Sequence, residues 1–225
     1  MDIPKTIGSC LVLSACAVYP IRSQAQQGRV DGDGHMTTVN RAVQPFHNID
    51  FTGSFDVVIL PGNNPSVRIE GEDNIIADIV TDVEGDNLRI GTKPQISIHP
   101  TKSLKVYVTA PGLAQIHSAG SGGLSSDGEL KGDHMEVSLA GSGNVDLKLH
   151  ANDLTAKLQG SGDLKVAMEV SGDFHANLVG SGDLDASGTA DRADLALVGS
   201  GDISARKLSA KGWDTKILGS GNISR

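Results

Sequence analysis

Six Gly-Ser-Gly triplets begin at Gly120, Gly141, Gly160, Gly180, Gly199 and Gly219, and their glycines (Gly120, Gly122, Gly141, Gly143, Gly160, Gly162, Gly180, Gly182, Gly199, Gly201, Gly219 and Gly221) are the first residues here whose spacing could do chemistry. A glycine-rich loop can cradle phosphate with its backbone N–H groups, but such a loop ends in Lys-Ser/Thr and opens a helix. Here five triplets are followed by Asn or Asp and then a β-branched residue or Leu: Asn144-Val145, Asp163-Leu164, Asp183-Leu184, Asp202-Ile203 and Asn222-Ile223. The first copy departs, with Gly123-Leu124. A strand follows where a phosphate loop needs a helix, so neither a nucleotide nor any other cofactor is expected. The calcium-binding nonapeptide repeat is also excluded, since its half-turns recur about every nine residues and these triplets recur every 19 to 21.

Stacking the repeats places Asn144, Asp163, Asp183, Asp202 and Asn222 in one external column. Carboxylates about 5 Å apart repel, and a divalent cation would relieve that repulsion. Asp163, Asp183 and Asp202 are therefore the metal candidates. The competing reading makes them hydrated turn caps, because Asn and Asp supply the same side-chain acceptor to a turn. Asn at both ends of the column favours the cap. Seven histidines (His35, His47, His99, His117, His134, His150 and His175) show neither His-x-His nor His-x-x-x-His spacing, so no histidine metal site is expected. Asp31-Gly32-Asp33-Gly34-His35 begins like a calcium loop but lacks its later carboxylates. Asp183 and Asp185 share a strand face, with Lys165 or Arg206 as the nearest basic candidates for a glycan-cleaving pair. No motif fixes them into a constellation, so no catalytic residue is assigned and the chain is not expected to be an enzyme.

Composition narrows the partners. Aromatics make up 3% of the chain, a thin supply of platforms for stacking sugars. A net charge of −8 argues against a nucleic-acid partner. The only cysteines are Cys10 and Cys16, which removes disulfides and thiol chemistry from everything after them. Lys5 followed by the mostly apolar stretch from Ile7 to Tyr19 reads as an export signal. Two processing readings stay open. Leu13-Ser14-Ala15-Cys16 fits a lipobox, with Cys16 as the lipid attachment point and the signal ending at 15; Ser23-Gln24-Ala25 fits ordinary cleavage before Gln26. Both take the protein out of the cytoplasm, to the periplasm, the outer envelope or the extracellular space.

The elements that must position these residues follow from alternation. Leu154, Ala156, Leu158, Gly160, Gly162, Leu164 and Val166 form an unbroken period of two, and neighbouring copies keep its phase. Period two is strand, with these residues on one face. A 20-residue unit cannot bury that face alone; stacked units can. The expected fold is an all-β, right-handed parallel β-helix of about 20 residues per turn, with an antiparallel β-sandwich as the alternative. Leu158, Leu178, Leu197 and Leu218 are expected as an inward column. Division along the chain follows: an export signal over 1–25, a flexible lead-in over 26–40, an N-terminal β part over 41–118 that caps the solenoid, and the repeat solenoid over 119–225. Phe51 to Leu60 reads as one strand, Glu72 to Asp78 as a helical turn, Val83 to Ile90 as a hairpin. Trp213, the one tryptophan, is expected to plug the far end and keep the protein monomeric.

The ordered set Phe46-x-x-Ile49, Gly53-Ser54-Phe55-Asp56-Val57-Val58-Ile59, Val67-x-Ile69-x-Gly71, Leu88-x-Ile90 and Val106-Tyr107-Val108-Thr109-Ala110-Pro111-Gly112-Leu113, then the Gly-Ser-Gly repeats, resembles the auto-transporter adhesin head domain family, the head GIN domain. The resemblance runs from about 46 to 224. It implies an extracytoplasmic β-helical domain with no established activity. An auto-transporter also needs a membrane barrel, which these 225 residues do not hold, so self-export is not expected of them. The functional expectation is a binding or structural element of the bacterial envelope or cell surface, its partner an unidentified surface protein or glycan. Alternatives are a lipid-anchored envelope assembly protein and, less favoured, a glycan-processing enzyme.

Overall fold

The computed structural model describes residues 28–225. Cys16, the signal and both cleavage readings lie outside the described residues. The N-terminal part contains β1 (Gly28–Asp31), β2 (Met36–Ala42), β3 (Asn48–Gly53), β4 (Asp56–Pro61), β5 (Ser66–Glu72), the single helical turn α1 (Asp73–Ile76), β6 (Ile79–Glu84), β7 (Asn87–Thr92), β8 (Ile96–His99) and β9 (Lys105–Ala110). The repeats supply β10 (Gln115–Gly120), β11 (Gly123–Lys131), β12 (His134–Gly141), β13 (Asn144–Ala151), β14 (Asp153–Gly160), β15 (Asp163–Val170), β16 (Asp173–Gly180), β17 (Asp183–Gly199), β18 (Asp202–Gly219) and β19 (Asn222–Ser224). Strand accounts for 73% and helix for 2%, wound as a β-solenoid of about six turns with roughly 20 residues each.

Every turn has one strand on each of two opposed faces. Face A stacks β7, β3, β10, β12, β14, β16 and then the second halves of β17 and β18, with each neighbour parallel. Face B stacks β9, β4, β11, β13, β15, the first halves of β17 and β18, and β19, also parallel. Parallel pairing throughout the repeats rules out the antiparallel sandwich. Among the described residues antiparallel pairs occur only in the N-terminal part, where β2 joins β5, β5 joins β9 and β6 joins β7. The proposed lead-in is not free chain there. β1 pairs with β8, and β2 runs along β5.

The first coil, β3 and β4, lies inside the stack. Later chain flanks it on both sides, β7 and β9 on one and β10 and β11 on the other. Phe51 to Leu60 is accordingly two strands, joined by a corner at Gly53-Ser54-Phe55-Asp56. Gly53 pairs in register with Gly120, and Val57 with Leu124. This is a seventh copy of the triplet corner, with Phe55 at the second glycine position.

The corner explains the triplet. Gly141 has φ +123°, and a Cβ there would stand 2.5 Å from the Gly120 carbonyl oxygen of the coil beneath. Gly143 has an ordinary φ, yet its Cβ would stand 2.5 Å from the Gly122 carbonyl oxygen. Backbone rests on backbone, and no side chain fits between. The freed groups are paired between coils: the Gly141 carbonyl accepts from both Ser161 N–H (3.0 Å) and Gly162 N–H (3.1 Å). Phe55 fits in the second position because its ring turns edge-on to Phe51, centroids 5.1 Å apart.

Inward side chains stack in columns, one residue per coil. Met135, Leu154, Phe174, Ala193 and Trp213 form one; Leu139, Leu158, Leu178, Leu197 and Ile217 form another. The second corrects the expected column, in which Leu218 stood last. The final interval is 20 residues, so Ile217 inherits the inward phase and Leu218 points to solvent, 63% exposed. One core cluster spans both parts of the chain, from Phe46 to Leu208. Burying each Leu of such a column contributes roughly 1.5–3 kcal/mol. At the far end Trp213 is only half-buried and Ile217 remains 45% exposed, so the indole does not seal the solenoid.

One buried carboxylate fastens the other end. Glu72 accepts hydrogen bonds from Gly34 N–H (2.6 Å), Thr101 N–H (2.8 Å), Thr101 Oγ1–H (2.6 Å) and Lys102 N–H (3.3 Å). Those donors, the Thr101 hydroxyl first, hold its carboxyl below the usual carboxylate range.

Candidate binding face

The outward side chains of face A form rows as regular as the core columns. Thr155, His175, Asp194 and Asp214 make one row across β14, β16, β17 and β18. Lys157, Asn177, Ala196 and Lys216 make the next. Together they line a shallow groove of about 410 Å³. His175 Nδ1 lies 3.1 Å from Asp194, which also takes Arg192 at 3.1 Å, and Lys157 reaches Glu136 at 2.9 Å. Among the described residues Asp214 and Lys216 have no ion-pair partner.

A third row is formed by the residue that precedes each triplet. It begins with the small Ala119 and Ala140 and the polar Gln159, then becomes larger and apolar with Val179, Val198 and Leu218. Val179 is 42% exposed and Val198 41%. Three aligned apolar side chains beside a charged groove are a binding-type surface, since isolated exposed apolar residues are ordinary but contiguous ones mark contact sites. The alternation places Val179 and Val198 outward in the sequence, whereas Leu218 is expected inward; the unread signal is an apolar residue recurring at an outward position.

A second groove, about 400 Å³, lies by β3, β6 and β7 and includes Asp50, Asp82 and Arg89. Arg89 there is taken up by Glu84 at 2.9 Å.

The Asn/Asp column stands on face B as the spacing required: Asn144, Asp163, Asp183, Asp202 and Asn222 pair in register. Two of its three carboxylates bond the backbone of the next coil. Asp183 Oδ1 accepts from Asp202 N–H (3.3 Å), and Asp202 Oδ1 accepts from Asn222 N–H (3.0 Å). Among the described residues no group of three or more His, Cys, Asp or Glu side chains is arranged to hold a metal ion. The six triplet serines, Ser121 through Ser220, are exposed at the corner. Asp183 and Asp185 are both exposed on face B, and the Lys165 ammonium lies against Asp146 at 3.2 Å. On face A, Asp153 is held below the usual carboxylate range by the Asp173 N–H, with His134 beside it. That group caps a turn and faces no cleft.

The fold and face together define a β-solenoid that offers rows of side chains for contact. Residues 45–224 match the family described as "Putative auto-transporter adhesin, head GIN domain". The chain belongs to that family, one of surface or exported proteins. Solved structures share the fold. A "putative lipid binding protein" from Parabacteroides distasonis is 24% identical, covering 88% of this chain and 100% of its own, with TM-score 0.72. A "putative adhesin" from Bacteroides fragilis is 23% identical over 86% and 98% of the two chains, TM-score 0.68. Another from Parabacteroides merdae is 19% identical over 88% and 100%, TM-score 0.58. None of these descriptions names an enzyme. No curated protein matches the chain. Among the described residues no helix is long and apolar enough to cross a membrane.

Proposed function

We propose that this protein is a non-enzymatic binding element of the bacterial envelope or cell surface, and that face A of its last four coils is the contact surface. The observation that carries the reading is the apolar row Val179, Val198 and Leu218 running beside the charged groove. A rigid ladder spaced at about 4.8 Å per coil favours an extended partner, such as a glycan chain or a protein segment, lying across the strands and touching one residue per coil. Flat surfaces of this kind bind through many weak contacts. A lipid-anchored role in an envelope assembly is the second reading, supported by the lipobox ending at Cys16. The N-terminal mass of native protein separates the two forms: acylated Cys16 for the anchor, free Gln26 for soluble export.

The test uses protein purified after export, probed against glycan arrays and detergent-solubilised envelope protein. The double variant Val179→Asn/Val198→Asn changes only outward side chains and should leave the melting temperature unchanged. Expected is a loss of binding of roughly tenfold or more, equivalent to about 1.4 kcal/mol. Binding that survives both substitutions undiminished, or no binding to either probe, would overturn the assignment.

A further inference from the structure

The last strand segment of face A, Gly212–Gly219, pairs with Arg192–Gly199 on one side. Among the described residues nothing pairs with its other edge. An exposed edge is a row of unpaired N–H and C=O groups, ready to accept another strand. This one also leaves core-phase residues uncovered, Ile217 at 45% exposure and Trp213 half-buried. Protein edges are ordinarily blunted by charge, proline or bulges. No proline or bulge interrupts 212–219; its charges are one Asp and one Lys, placed two residues apart.

That placement is self-complementary. Reversing Trp213-Asp214-Thr215-Lys216-Ile217 against itself, with Thr215 opposite Thr215, sets Asp214 against Lys216 twice on the outer side. It sets Trp213 against Ile217 twice on the core side. Directly opposed residues in an antiparallel pair share a face and interact. Moving the register by one residue would oppose inward side chains to outward ones. Moving it by two would set Lys216 against Lys216 in one direction and Asp214 against Asp214 in the other. Only the Thr215-centred register satisfies both the charges and the core.

We propose that a second copy of this chain docks on this edge, antiparallel, about a two-fold axis that passes through Thr215 normal to the sheet. An axis in that direction sets face A beside face A and face B beside face B, so the two-layered core runs unbroken from one copy into the other. A two-fold contact of this kind closes and stops at two copies. Asp214 and Lys216 also line the groove of face A. The groove would therefore continue across the seam into its twin, whatever partner fills it.

The experiment is light scattering and sedimentation on exported protein at micromolar concentration. The wild type is expected at twice the chain mass. Asp214→Lys, on the exposed outer side, sets lysines opposite one another at both pairs and is expected at the single-chain mass with an unchanged circular dichroism spectrum. Asp214→Lys/Lys216→Asp reverses both charges and should restore the dimer. Thr215→Cys places the two thiols on the axis, and mild oxidation should yield a covalent dimer that the added Asp214→Lys change abolishes. A wild type that stays at single-chain mass, a dimer indifferent to Asp214→Lys, or failure of the double reversal to restore it would each overturn the proposal. None of these readouts depends on the ligand binding tested above.

Discussion

Glu72 shows how much a single side chain can organise without any catalytic duty. Its carboxylate receives donors from Gly34, Thr101 and Lys102, so it ties the segment before β2 to the loop after β8 across the solenoid's N-terminal side. Among the described residues no lysine or arginine pairs with it; the stabilisation comes from hydrogen bonds to the charged form, which is what lowers the carboxyl's pKa. A lowered native pKa means that stability is fully present above the unfolded value, near 4.5, and is lost as pH falls through the lower native value. Glu72→Gln keeps the shape but turns two amide hydrogens toward N–H and O–H donors. In urea unfolding the gap between wild type and variant should be widest at pH 7 and should narrow below about pH 4.5. A gap independent of pH would mean that the carboxylate charge contributes nothing. This residue's role is not legible in the sequence, because its donors come from two places distant from it along the chain, Gly34 and Thr101-Lys102.

At the scale of the coil, the first triplet glycine resists substitution for two reasons, its backbone torsion and the coil beneath it. Gly141→Ala would adopt a left-handed backbone and press Cβ into the Gly120 carbonyl; the expected cost is about 3 kcal/mol, read as a drop in melting temperature. Ser142→Ala beside it is exposed and should change stability by no more than about 0.5 kcal/mol. Equal effects from the two would show that the corner tolerates a methyl group. The repeat itself was legible because the corner demands Gly on every coil and the core demands alternation, two constraints that print directly onto sequence. The first corner was not legible: Phe55 replaces its second glycine, with its ring edge-on to Phe51 and no matching triplet corner beneath that coil. The Leu218 misplacement has a similar origin, since repeats of 19 and 20 residues shift the phase by one and Leu and Ile are equally apolar. Candidate-site residues other than Leu218 were readable as outward positions, but which outward rows lie side by side depends on the stacking direction.

For the molecule as a whole, the continuous core is the decisive fact. Phe46 in the N-terminal part and Leu208 in the last coils belong to one buried cluster, and the polar Ser118 at the junction is buried in it, in register with Phe51 and Leu139. The division at about 118 therefore marks a change of sequence style within a single cooperative body. Chemical unfolding followed by circular dichroism should show one transition; two resolved steps would mean that the repeats and the N-terminal part are energetically separate.

The burial of the first coil within the stack has a consequence in time. Adding one repeat to the next closes a loop of about 20 residues, but seating β10 on β3 brings Gly53 to Gly120, more than sixty residues apart. Closing longer loops costs more chain entropy, and distant contacts slow folding. Refolding should therefore have a rate-limiting step in which the N-terminal strands enclose the first coil, after which successive coils zip on quickly toward the C-terminal end.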